Sequence, residues 1–326
     1  MDLWIGVVAF CIGVIVGLTG MGGGALMTPA LVLIFGVPPL AAVSTDLVAS
    51  AVMKPVGSWV HFRQKTVNMD LVKWLAIGSV PAAFGGVLIL KSLGTAESVE
   101  HGVRTALGVA LLVSATLLSV RSYLKMSERV QRRRTGVQTG ANNSKPLRIR
   151  PIPTMCLGVI GGVIVGMTSV GSGSIIIIGL MLLYPALKTN QLVGTDLLQA
   201  VPLVMAAALG HTLFGDLDFG LTIPLLLGSI PGVFLGAQLS SRLDGGFVRR
   251  ALAFVLLASG LKMLGLPDLT TGLVLLATLL LAPAIWMLIR RHHGLPALVS
   301  TENRRRRSLV TQLPLPTEQN VKINDF

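Results

Sequence analysis

Charge is what this sequence has least of. Only 13% of its 326 residues are Asp, Glu, Lys or Arg, against 52% hydrophobic, and none is charged from Leu3 to Phe35. A soluble globular chain carries about 25% charged residues, so that class is excluded. Uncharged runs recur at the length of about 20 residues that an α-helix needs to cross a bilayer core. They are continuous rather than alternating, which excludes a transmembrane β-barrel. Cysteine is almost missing too. Cys11 and Cys156 stand alone in apolar runs, match no ligand spacing and are read as packing residues. The five histidines form no ligand-like grouping, and neither HExxH nor GxxxxGK[ST] occurs. No metal, cofactor or nucleotide hydrolysis is therefore expected, and any transport must run on an ion gradient or on the substrate's own. Met1-Asp2 offers no basic leader before the first apolar run, which is expected to be mature structure.

What charge there is lies in two places. Between Arg121 and Arg150 nine basic residues face only Glu128, and from Arg290 onward seven face Glu302, Glu318 and Asp325. Together these account for nearly all of the net +13. Both segments flank hydrophobic runs, so they read as cytoplasmic anchors to anionic lipid that orient a multi-pass protein of the cell membrane, and not as a nucleic-acid surface.

The chain repeats itself. "GVIVGLTGMGGG" from Gly13 returns as "GVIVGMTSVGSG" from Gly162, and "STD" at Ser44 returns as "GTD" at Gly194. His61 returns as His211, "GSVPAAFGG" from Gly78 as "GSIPGVFLG" from Gly228, and "VRTAL" as "VRRAL". Five matches in one order predict two homologous halves, with residues 1–121 and 153–266 as transmembrane repeats and 122–152 as a basic cytoplasmic linker. An unpaired helix at 267–290 and a basic tail at 291–326, expected to be disordered, complete the plan. Loop charge then orients the halves. Arg63 and Lys65 follow His61, but Asp216 and Asp218 follow His211; Glu97 and Glu100 are answered by Arg242, Arg249 and Arg250. Equivalent loops thus prefer opposite sides, the signature of an inverted repeat. Three ordinary helices per half already make an odd number of crossings. Each glycine-broken run is therefore expected to be a hairpin of two half-helices that enters and leaves on one side. The predicted fold is all-α, with two hairpins and seven full crossings, the N-terminus outside and the C-terminus cytoplasmic.

Non-helical backbone at membrane depth survives only where protein buries it or where it lines a wet cavity. The two breaks are accordingly the expected substrate site. Gly22, Gly23, Gly24, Gly171 and Gly173 allow sharp turns that leave amides facing an anion, and Thr19, Thr168, Ser169, Ser172 and Ser174 add hydroxyls. Close helix packing through small residues is the plainer reading of the same glycines. Asp46 and Asp196 read either as helix N-caps or as paired carboxylates that take up protons or orient the tips. Lys54, mid-helix and opposite Val204 in the repeat, must pair with one of those carboxylates or meet an anion. His61 and His211 are placed near helix ends, for capping or proton relay, and Pro81 and Pro231 as kinks in matching helices useful for gating. Gln199 and Gln238 are lesser polar candidates.

The phrases "GLTGMGGGALMTPAL", "VSTDLVAS", "GMTSVGSGSIIIIGL" and "VGTDLLQAVPLVMAAALGH", in this order, resemble the TauE/SafE family of sulfite exporters and 4-toluenesulfonate uptake permeases. The resemblance covers most of residues 5–265. It implies a permease of the cytoplasmic membrane that moves sulfite, organosulfonate or a related sulfur-containing anion. The expected partners are that anion, anionic lipids at the linker and tail, and in a homo-oligomer a second copy of the chain. The rivals are an anion channel using the same site, and an intramembrane serine protease in which Ser172 or Ser174 meets His211.

Overall fold

A computed structural model describes residues 2–19, 23–135, 148–187, 189–239 and 245–292. Among them there is no strand. The helices are α1 (Asp2–Thr19), α2 (Gly24–Phe35), α3 (Pro39–Arg63), α4 (Met69–Ser92), α5 (Ala96–Thr135), α6 (Pro151–Thr168), α7 (Ile177–Leu183), α8 (Thr189–Phe214), α9 (Phe219–Leu239), α10 (Gly245–Met263) and α11 (Asp268–His292), with a π-helical turn at Ser172–Ile176 leading into α7. The all-α multi-pass class read from composition therefore holds. Residues 122–135 of the expected linker are helical, as the end of α5. The rest of that linker up to residue 147 and the tail from 293 lie outside the described residues.

Seven of these helices are long and apolar enough to cross a membrane: α3, α4, α5, α6, α8, α9 and α11. The number equals the seven crossings expected, but the membership differs. α6 qualifies as a full span, whereas α10 carries Arg249, Arg250 and Lys262 within its 19 residues and does not. Local chemistry marks the ends. Val37 N–H reaches back to Leu31 O at 3.1 Å around Gly36, whose φ of 67° closes α2. Asn68 caps α4 by accepting from Leu71 N–H at 3.2 Å, and Asp218 does the corresponding work before α9, accepting from Gly220 N–H at 2.7 Å. Pro151 opens α6 at the position where its missing N–H costs nothing.

Two compact units divide the chain, Met1–Lys125 with Gln138–Thr271, and Met126–Val137 with Gly272–Phe326. In the second, α11 exposes Leu273, Leu276 and Leu280, an apolar surface suited to lipid. The first unit is assembled crosswise. α1 packs on α9, and α4 packs on α6, so the opening helix of each sequence repeat lies against a helix of the other. These contacts are backbone to backbone. A Cβ on Gly228 or Gly232 would fall 2.1 or 2.3 Å from the carbonyl oxygens of Gly6 or Phe10, and one on Gly158 or Gly162 would fall 2.4 Å from those of Leu75 or Ser79. Small residues four apart are what such close crossings require. Pro81 and Pro231 stand on exposed faces of α4 and α9, away from these glycines, and both helices continue through them. α3 and α8, which pack on each other, are the most enclosed of the seven spans.

Candidate functional site

The second break is built by three consecutive departures from helical geometry. Ser169 adopts φ 58° and ends α6, its N–H bonding Val165 O at 2.7 Å; Gly171 takes φ 123°; the chain then winds as a π-turn, a form that favours functional sites. Thr168 turns inward on this loop, donating to Ile164 O at 2.6 Å and accepting from Val170 N–H at 3.2 Å. Ser172 accepts a hydrogen bond from Lys54 Nζ at 3.0 Å, and Ser174 shares one with Ser114 of α5 at 2.9 Å. All four hydroxyl side chains of the break, those of Thr168, Ser169, Ser172 and Ser174, are buried.

The first break meets it. Gly22 lies outside the described residues, but Gly23 and Gly24 open α2, with Leu26 and Met27 N–H groups bonded to Gly23 O. A Cβ on Gly24 would sit 2.0 Å from Ser169 O, so the two breaks touch there. Thr19, at the end of α1, folds its hydroxyl back onto Ile15 O at 2.9 Å.

Asp46 joins the two. Its Oδ2 accepts from Thr28 Oγ1 of α2 at 3.3 Å and from Ser169 Oγ at the start of the second break, and the residue has no solvent exposure. Asp196, the counterpart in the repeat, accepts instead from Gln199 Nε2 at 3.3 Å, and Gln199 Oε1 takes a bond from Ser79 of α4 at 3.2 Å. The N-cap reading fails for both carboxylates. α3 starts at Pro39 and α8 at Thr189, which leaves Asp46 and Asp196 in the second turn with side chains turned into the protein. Lys54 is also buried, at 7% exposure. Among the described residues it forms no ion pair, so the expected pairing with Asp46 or Asp196 is not made at contact distance; both carboxylates act on it only through space.

The histidines differ. His211 is fully buried: Nε2 donates to Gly166 O of α6 at 2.8 Å, and Nδ1 lies 2.8 Å from Ser44 Oγ of α3. It ties three helices rather than capping its own. His61 is partly exposed and bonds only locally, Nδ1 lying 3.1 Å from Thr66 Oγ1. The reason is legible in the repeat. Each histidine meets the first residue of the other half's "STD" or "GTD"; His211 finds Ser44, while His61 has its Cβ against Gly194 and finds no hydroxyl there. Neither Ser172 nor Ser174 is bonded to His211, so a protease pairing of these residues is not assembled.

Reading the sequence missed Arg121. It opens the basic stretch that reads as a lipid anchor, yet it is 4% exposed, and its charge reaches Asp196. The signal was periodicity: Ser114, Leu118 and Arg121 share one face of α5, at helical spacings of four and three. Ser114 and Leu118 line a cavity of about 20 Å³ with Ser169, Ser172, Ser174 and Leu256. That is room for about one water molecule and not for an oxyanion of sulfur, so the breaks are closed on each other. Thr28 and Ser44 were also missed, since nothing local distinguishes them from ordinary apolar-helix hydroxyls.

A polytopic helical protein whose broken helices converge on buried opposite charges is built as a membrane transporter. The chain belongs to the sulfite exporter TauE/SafE family, whose pattern matches residues 5–263. It is 41% identical over 254 residues to the probable membrane transporter protein YjnA of Bacillus subtilis (strain 168), a match covering 78% of this chain and 96% of that one. It is 25% identical over 258 residues to the probable membrane transporter protein YdhB of the same organism, covering 79% and 98%. No solved structure matches the chain.

Proposed function

We propose that the protein is a secondary transporter of a small anion, sulfite, an organosulfonate or a related sulfur-containing anion, and has no catalytic activity. The carrying observation is Lys54. It is a buried ammonium with no contact ion pair among the described residues, and it holds Ser172 at the head of the second break. Asp46 and Asp196 act on it only through space, which leaves its donors free to meet an anion, and an incoming sulfonate would take over the donor that now holds Ser172. Thr168, Ser169, Ser172, Ser174 and the glycines of both breaks would enclose it, with Asp46, Asp196 and His211 as coupling or gating groups.

Alternating access would come from one half rocking on the other, as an inverted repeat allows. The crosswise pairing of α1 with α9 and α4 with α6 supports that reading, because it exchanges corresponding helices of the two halves. Placement in the cell membrane, with the N-terminus outside and the basic linker and tail facing anionic lipid in the cytoplasm, rests on loop charge.

The test is flux of radiolabelled sulfite into proteoliposomes. Wild-type protein should show saturable uptake and counterflow, and Lys54→Gln should lose most of it while remaining monodisperse; full flux in Lys54→Gln would sink the assignment. Non-saturable flux without counterflow would indicate a channel. The Lys54 to Ser172 contact is also the geometry of a Ser-Lys nucleophile pair. Labelling of Ser172 by a fluorophosphonate would favour that hydrolase reading over transport.

A further inference from the structure

The two halves of the sequence repeat are held unequally. α1 on α9 and α6 on α4 are joined by matching glycine crossings, which makes each pair a stiff body. What each pair rests against differs. α8 packs closely along α4, whereas its counterpart α3 meets α9 sparsely.

Three pins hold α4 and α6 to α8. Ser79 donates to Gln199 Oε1 at 3.2 Å, and Gln199 Nε2 donates in turn to Asp196 Oδ1 at 3.3 Å. Asn68 N–H, at the head of α4, donates to Thr195 Oγ1 at 3.0 Å, and His211 Nε2 donates to Gly166 O at 2.8 Å. The repeat gives every pin a counterpart, and among the described residues none of the counterparts is joined. Ala49 stands in the place of Gln199, and both groups that a glutamine there would serve, Ser229 Oγ and Asp46 Oδ1, are buried without a hydrogen-bond partner. Thr45 Oγ1, the counterpart of Thr195, is buried without one as well. His61 bonds Thr66 beside it and not the glycine of α1 that answers to Gly166. The energetic consequence is one-sided. Parting α4 from α8 breaks hydrogen bonds in an apolar interior, whereas water admitted between α3 and α9 would partner hydroxyls that now have none.

We propose that Gln199 is a positioning residue that bolts α4 and α6 to α8, and that the resting protein opens instead between α3 and α9, with α1 and α9 swinging as one gate. Use of that opening by an anion bound for Lys54 rests on the transport reading above; the inequality of the two seams does not.

Leu75 of α4 and Leu225 of α9 are counterparts, each one turn before the serine of its seam and each without exposure. Single Leu75→Cys and Leu225→Cys variants of the full-length chain lacking Cys11 and Cys156 are purified in detergent, and their modification by a water-soluble methanethiosulfonate is timed by mass spectrometry with no anion present. The Leu225→Cys thiol should react about tenfold faster, as a locally opening segment does. Adding Gln199→Ala should speed the Leu75→Cys thiol and leave the Leu225→Cys thiol unchanged. Thr195→Val, which keeps its shape but loses the acceptor for Asn68 N–H, should act in the same direction. Equal rates for the two thiols, or a faster Leu75→Cys, overturn the proposal. So does a Gln199→Ala change that speeds both alike, which marks lost stability and not the release of one seam. In transport the bolted seam must open in its turn, so saturating sulfite should raise the Leu75→Cys rate. Sulfite flux with that rate unmoved would overturn the gating role. Unequal thiols without sulfite flux would leave the seams standing and remove the substrate reading.

Discussion

At Ser44 and His211, 167 residues apart, a single hydroxyl decides whether a buried imidazole is satisfied. Nε2 must donate, since Gly166 O can only accept, so Nδ1 of the neutral ring takes the Ser44 hydroxyl proton, for which Leu40 O at 2.8 Å is the competing acceptor. Ser44→Gly, which copies Gly194 of the other half, should strand that nitrogen and cost about 1–3 kcal/mol. Thermal unfolding in detergent would register the loss; the reciprocal Gly194→Ser should instead clash, as its Cβ would lie 2.7 Å from Thr66 Oγ1. Arg121→Gln should lower sulfite flux more than Arg148→Gln does, because Arg121 is buried and Arg148 exposed. Equal effects of the two would mean that Arg121 serves only as part of the basic segment. Residue roles were legible where a feature was unusual for its depth, as with Lys54. They were not where the partner lay in another helix: a cap and a buried carboxylate look alike in "STD" until Pro39 is seen to start the helix seven residues earlier.

Among the elements, α4 offers a comparison within two adjacent glycines. A Cβ on Gly85 meets nothing within 4 Å, whereas one on Gly86 would lie 2.8 Å from Val163 O of α6. Gly85→Ala should be neutral or stabilising by up to about 1 kcal/mol through helix propensity. Gly86→Ala should lower Tm, because α6 must retreat to admit the methyl; equal Tm values for the two variants would show that this crossing is not tight. The long helices were legible from hydropathy because lipid and protein interior both demand continuous apolar runs. The end of α5 was not, because Arg132, Arg133 and Arg134 carry the signature of a linker whether or not the backbone there is helical. The breaks were legible as breaks, since glycine and serine clusters weaken helices, but the π-turn at Ser172–Ile176 depends on where Lys54 and Ser114 hold it.

On the scale of the whole molecule, the inversion proposed from loop charge predicts that the loops after His61 and after His211 face opposite sides. Single cysteines placed at Lys65 and Asp216 in a chain lacking Cys11 and Cys156 should be labelled by a membrane-impermeant maleimide from opposite faces of oriented vesicles. Labelling from the same face would reject the inversion. The duplication was legible because five phrases recur in order; how the halves join was not, because packing of α1 on α9 and α4 on α6 leaves no trace in either half alone. That crosswise pairing has a consequence for biogenesis. When the ribosome has released α1 and α4, the surfaces that will meet α9 and α6 have not been synthesised, so the early product waits in the bilayer with its glycine seams open. The same dependence means that two separately translated halves, each unable to persist by itself, should accumulate when expressed together.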